Sequence, residues 1–173
     1  MRYWVGLGAN LGDRRAAIEA ALAWLDRNAR VEAVSHPYET APRDLVDQPV
    51  FLNAAARVAS PLEPPAFLAQ VKRLERELGR DPGGVRFGPR AIDCDLLLWE
   101  GGAWRGADLE IPHPRLGERR FALLPLLDID PGLALPDGTP LARLEAALDP
   151  GDQLAERLET AFARIEGPTG REI

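Results

Sequence analysis

At 173 residues the chain has room for one core that buries about 70% of its unfolded surface, and its mixture of 46% hydrophobic and 28% charged residues excludes intrinsic disorder. A net charge of −6 exerts no general pull on polyanions, so nucleic acid is excluded as a partner and any anionic ligand must meet a local arginine cluster or a metal. The lone cysteine, Cys94, excludes an internal disulfide and a cysteine zinc cluster, and no apolar run nears the ~20 residues of a membrane span, so the expected location is cytoplasmic with no membrane partner.

One domain over residues 1–173 is expected, a monomer by default with a dimer as the alternative. Arg2 to Leu7 reads as a first strand, followed by a turn and an Ala/Leu-rich helix from about Arg14 to Asn28 capped by Asp13. Val31 to Tyr38 is strand-like, and the proline-broken stretch Thr40 to Pro49 is a loop long enough to suggest function. Phe51 to Val58 is a strand and Pro64 to Leu78 a helix, opened by proline and closed by Gly79. A polar, glycine-rich stretch from Arg80 to Pro89 precedes Ile92 to Trp99, the most apolar strand and therefore expected to be central. Leu109 to Ile111 reads as a short edge strand, Phe121 to Leu127 as a short helix, and about Asp152 to Ile165 as a last amphipathic helix. The order β-α-β-β-α-β over the first hundred residues is an α+β, ferredoxin-like pattern, with helices on one sheet face and the other left for ligand.

The chemistry concentrates between Phe87 and Asp95. Asp93 and Asp95 alternate with Ile92, Cys94 and Leu96, so both carboxylates project from one strand face. Paired acids repel unless a hard cation lies between them, and magnesium takes one or two carboxylates plus phosphate oxygens. Arg80, Arg86 and Arg90 precede them in a loop carrying Gly79, Gly83, Gly84 and Gly88, which suits phosphate. Gly6, Gly8 and Gly12 miss the dinucleotide spacing G-x-G-x-x-G by one residue and read as a structural turn. His113 is held between two prolines, a rigid presentation suited to a phosphate or nucleotide, whereas His36 reads as structural. Phe51 and Phe121 begin their elements and, on local grounds alone, read as core. From the residues alone, two alternatives stay open: an effector-binding module without turnover, and a nicotinamide-dependent oxidoreductase resting on the Gly6 to Gly12 turn.

Four stretches, GANLGDR, DQPVFLNAA, FGPRAIDCDLLLW and IPHPRLGERRFALLPL, resemble in this order the hydroxymethyldihydropterin pyrophosphokinase family of folate biosynthesis. The likeness covers about Arg2 to Asp137 and leaves residues from about 141 to 173 as a C-terminal, helical extension. It implies a Mg2+-dependent diphosphotransferase that moves pyrophosphate from ATP to 6-hydroxymethyl-7,8-dihydropterin, giving AMP and the pterin diphosphate. Matched position by position, Asp93 and Asp95 would bind two magnesium ions, and Arg80 and Arg90 would act with them on the phosphates. Lys72, Glu75, Arg86, His113 and Arg119 would complete the ATP site. Thr40, Pro42, Phe51, Asn53, Phe121 and Asp93 would form the pterin site, with the ring between the two phenylalanines. Some family members carry tyrosine at the position of Phe51 and tryptophan at that of Phe87, so stacking survives here without the hydroxyl or indole contact.

Overall fold

The computed structural model describes residues 1–42, 47–79, 88–151 and 153–163. Strand β1 (Arg2–Ala9) turns at Gly12, φ 60°, into helix α1 (Arg14–Asn28). The Asp13 carboxylate caps that helix by accepting the Ala16 amide at 3.0 Å, satisfying one of the first-turn donors a helix leaves unpaired. The strand expected over residues 31 to 38 is two strands, β2 (Arg30–Val34) and β3 (Tyr38–Thr40), interrupted at Ser35, His36 and Pro37 because proline has no amide for a ladder. Both pair antiparallel with β4 (Phe51–Ala59). Helix α2 (Pro64–Glu77) begins on proline and stops before Gly79, φ 86°, and β5 (Asp93–Trp99) follows. A two-strand ribbon, β6 (Trp104–Arg105) with β7 (Glu110–Ile111), leads to helix α3 (Arg120–Ile129), helix α4 (Leu141–Ala146) and a last short strand, β8 (Ala155–Arg157).

The main sheet runs β5-β1-β4-β3-β8, with β2 also on β4. Counting β2 and β3 as one broken strand, this is the ferredoxin-like arrangement. Side-chain alternation divides the sheet into two faces. Tyr3, Val5, Leu7, Ala54, Ala56, Cys94 and Leu96 pack with Ile18, Leu22 and Leu25 of α1 and Phe67, Val71 and Leu74 of α2. The opposite face, expected to be left for ligand, is shared: Ala55, Leu97 and Leu98 pack with Leu123 and Leu126 of α3 and Leu141 of α4. Among the described residues, only the end of that face bearing Gly6, Gly8, Asn53, Asp93 and Asp95 stays open.

Two expectations are overturned. β5 is an edge strand of the sheet, not a central one. Its apolar run reflects burial on both faces, and its outer edge is satisfied by other means: the Glu75 carboxylate accepts the Cys94 amide at 2.8 Å, and the His113 amide donates to the Leu97 carbonyl at 2.9 Å. Burial pushes the Cys94 thiol well above its ordinary range, so it is an inert core group. The last helix expected from about Asp152 is also absent from residues 153–163, where β8 extends the sheet instead. Leu154, Leu158 and Phe162 mimic helical spacing, but the open β3 edge offers backbone partners: Ala41 donates to Leu154 at 3.3 Å and Leu158 to Pro37 at 2.9 Å. The helix in the extension is α4, which the local pattern did not reveal.

Asp128 ties α3 to this edge. Its Oδ2 accepts the His36 amide at 2.7 Å and meets His36 Nδ1 at 2.9 Å, while Arg157 Nε lies 3.9 Å from Oδ1. Burial pushes the Asp128 carboxyl upward, but the His36 hydrogen bonds outweigh it and leave the group below the ordinary 3.8. The folded state therefore binds fewer protons than the unfolded chain just below pH 3.8, so the stabilisation is complete above that pH and is lost as pH falls through the lower folded value. Asp128→Asn should destabilise the protein at pH 7, and the gap to wild type in urea unfolding should narrow as the pH falls below 4; a gap independent of pH would contradict this assignment.

Candidate active site

The open end of the sheet forms the floor of a cavity of about 280 Å3. β5 sends Asp93 and Asp95 into it on either side of Cys94, which points into the core. Arg90 Nη1 holds Asp93 Oδ2 at 2.6 Å, and Arg119 Nη1 stands 3.6 Å from Asp95 Oδ2. Arg119 is only 11% exposed and lies over the Phe121 ring, 5.6 Å from its centroid, so the aromatic face helps to hold the charge out of solvent. Two carboxylates and two guanidinium groups thus share one wall. The two carboxylates, open to the cavity on one face, are the oxygen donors a hard divalent cation takes when phosphates complete its shell.

His113 lines the same wall. Burial pulls its imidazole below the ordinary histidine value; Asp95 and Asp93 oppose that, and Arg119 and Arg115 reinforce it. The Arg115 amide donates to Nδ1 at 3.1 Å, and Arg119 Nη1 lies 3.4 Å from Nε2, so both ring nitrogens face donors of the same wall.

Across the floor, Asn53 Nδ2 donates to Thr40 Oγ1 at 2.7 Å, with both residues buried. This bond fixes the amide so that Oδ1 reaches over β1, where a Cβ at Gly8 would stand only 2.8 Å from it. Gly6 is under similar constraint, its missing Cβ lying 3.0 Å from a Leu97 methyl. Gly6 and Gly8 are therefore strand residues lining the floor, and of the three expected turn glycines only Gly12 lies in a turn. Gly8→Ala should displace the Asn53 amide and weaken binding of a ligand that donates to it by roughly tenfold or more; calorimetry showing wild-type affinity would remove Asn53 as a reader of ligand.

Residues 4–131 match the family model of 7,8-dihydro-6-hydroxymethylpterin-pyrophosphokinase. The chain belongs to this family. It is 39% identical over 148 residues to the 2-amino-4-hydroxy-6-hydroxymethyldihydropteridine pyrophosphokinase of Pseudomonas aeruginosa, covering 84% of this chain and 91% of that one. With the Bacillus subtilis enzyme of the same name it shares 41% over 128 residues, covering 73% and 76%. It is 42% identical over 127 residues to the mitochondrial folate synthesis bifunctional protein of Pisum sativum, covering 72% of this chain but 24% of that protein, so the chain spans about a quarter of such bifunctional relatives. The Plasmodium falciparum HPPK-DHPS crystal structure with pteroate has the same fold, with a TM-score of 0.66, 16% identity, and 84% of this chain and 42% of that one covered.

Nine residues that the family resemblance assigned to a site meet in this one cavity: Thr40, Phe51, Asn53, Arg90, Asp93, Asp95, His113, Arg119 and Phe121. Phe51 and Phe121, which looked like core residues on local grounds, line it from the starts of β4 and α3. Lys72 and Glu75 lie outside it on α2; Glu75, 2% exposed, is held by the Cys94 amide and by Lys72 Nζ at 2.9 Å, and so bolsters the β5 edge. Pro42 adjoins the lining residue Ala41 without lining the cavity itself. Arg80, Arg86 and Phe87 lie outside the described residues.

Asn10 carries a role that no local pattern signals. Its Oδ1 accepts the Arg90 amide at 2.8 Å, and its Nδ2 donates to Gln48 Oε1 at 3.0 Å and the Pro49 carbonyl at 3.1 Å. One buried side chain thereby joins the segments on both sides of the cavity. Its position inside GANLGDR was the only hint, since nothing in that stretch alone reveals the distant partners.

Proposed function

We propose that the chain transfers the pyrophosphoryl group of ATP to the hydroxymethyl oxygen of 6-hydroxymethyl-7,8-dihydropterin, giving AMP and the pterin diphosphate. One observation carries this reading: two phenylalanines and a buried carboxamide line the same cavity as two carboxylates and two guanidinium groups. Phe51 and Phe121 offer the ring its faces, and the Asn53 carboxamide oxygen, held by Thr40, accepts from its polar edge. Arg90 and Arg119 are donors for phosphate oxygens, with His113 beside them on the same wall.

The substrate hydroxyl gives up its proton to solvent as its oxygen attacks the β-phosphorus, and the bond from that phosphorus to the oxygen bridging it to the α-phosphate breaks. AMP leaves. No side-chain nucleophile is required, because such transfer asks of the protein mainly positioning and charge stabilisation. Two magnesium ions bound at Asp93 and Asp95 would neutralise phosphate charge and align the displacement. Arg90 and Arg119, already facing those carboxylates, stand ready to meet the charge that builds on the transferred group.

The test is to incubate the protein with magnesium, ATP and 6-hydroxymethyl-7,8-dihydropterin and to resolve the nucleotides. AMP formed in step with the pterin diphosphate supports the reading. ADP would make the protein an ordinary kinase, and binding without nucleotide turnover would make it an effector module.

A further inference from the structure

The family match ends at residue 131, yet the chain beyond it returns to the cavity wall from behind. Its target is Arg120, the residue between Arg119 and Phe121. Gln153 Oε1 accepts the Arg120 amide at 2.9 Å, and Gln153 Nε2 donates to the Glu118 carbonyl at 3.1 Å, so one carboxamide bridges the start of α3. The Arg120 guanidinium, half-buried, donates to Glu145 Oε1 of α4 at 2.8 Å and to the Gln153 carbonyl at 3.4 Å. α3 has no side-chain cap of its own: Arg119 stands at its N-cap position and makes no capping bond. Gln153 supplies from 33 residues away what serine or aspartate usually supplies in place.

The placement matters because Arg119 and Phe121 flank the clamped residue and both face the cavity. Arg119 Nη1 stands 3.6 Å from Asp95 Oδ2 and 3.4 Å from His113 Nε2, so its position sets the geometry of both. At the other end of the same segment, β8 pairs with β3, setting Ala155 opposite Thr40, another cavity residue. The extension thus braces the wall at two places.

We propose that Gln153 and Glu145 are positioning residues for the substrate site, acting through Arg120 to hold Arg119 and Phe121 toward the cavity before substrate arrives. The assignment of the held residues to ATP and pterin rests on the pyrophosphokinase reading; the clamp itself does not. A prearranged wall lowers the ordering cost of binding, so its loss appears in KM more than in kcat, the contacts being remade once substrates are bound.

The full chain is compared with Gln153→Ala, Glu145→Ala and Glu145→Gln by steady-state AMP formation and by amide hydrogen exchange across residues 118–123. Both alanine variants should raise KM roughly tenfold, as loss of one or two hydrogen bonds gives, with kcat within about twofold. Glu145→Gln, which keeps an acceptor for Arg120, should recover most of the wild-type KM, and exchange at 118–123 should quicken in the alanine variants. Wild-type KM in both, or a fall in kcat at constant KM, would overturn the positioning role; unchanged exchange would overturn the clamp. Absence of AMP with the wild-type chain would instead defeat the functional reading, and the exchange arm would still decide the clamp. If Gln153→Ala does not fold, Gln153→Glu, which keeps the acceptor for Arg120 and loses the donor to Glu118, carries the same comparison.

Discussion

Asp95→Ala is expected to lower the single-turnover rate of AMP formation by about a thousandfold or more, the several kcal/mol associated with a catalytic metal ion. Asp95 pairs with Gly6 in the β1–β5 ladder, so its backbone is fixed by the sheet while its carboxylate faces the cavity. Removing the carboxylate takes away one of the two acids on that face and leaves Arg119 without the counter-charge now 3.6 Å from it. Arg119 is only 11% exposed, so loss of its counter-charge should also lower stability, and the rate is therefore compared at a temperature where the variant is folded. Asp95→Asn separates charge from shape and should be nearly as damaging. A rate near wild type in either variant, at saturating magnesium and ATP, would remove Asp95 from the metal site.

Asn10→Ala should cost both stability and turnover. Asn10 is 2% exposed, and its loss strips partners from the Arg90 amide, the Pro49 carbonyl and Gln48. Pro49 is exposed and Gln48 half-buried, so water can replace the lost bonds there, and the cost falls mainly on the Arg90 amide: a destabilisation of ~1–3 kcal/mol is expected in urea unfolding. The activity loss has a separate cause: Arg90 reaches Asp93 from a segment that Asn10 ties to the end of β1, and misplacement by an ångström can cost about a hundredfold. The two effects are separable, because the kinetic loss should persist at low temperature, where the variant is folded. A variant that is destabilised but kinetically normal would reduce Asn10 to a purely structural staple.

The features legible in the sequence were those set by near neighbours. Asp13 caps α1 and Pro64 opens α2 because both devices act within a single turn. Asp93 and Asp95 were readable as a pair because strand alternation alone puts them on one face. An apolar strand such as β5 suggests a central place, but helices on one face and α3 on the other suffice to bury an edge strand. The C-terminal segment misled because its helical spacing lost to the open ladder of β3, which is visible only once the sheet is assembled. Gly8 and Asn10 were opaque for the same reason. The space above Gly8 matters only because Asn53 is paired opposite it, and Asn10 matters only because Gln48 and Arg90 converge on it.

The most direct test of pyrophosphoryl transfer follows the β-phosphorus. With ATP labelled at that position, magnesium and 6-hydroxymethyl-7,8-dihydropterin, the label should appear in the pterin product and leave an unlabelled AMP. Label retained in ADP, with a singly phosphorylated pterin, would contradict the account.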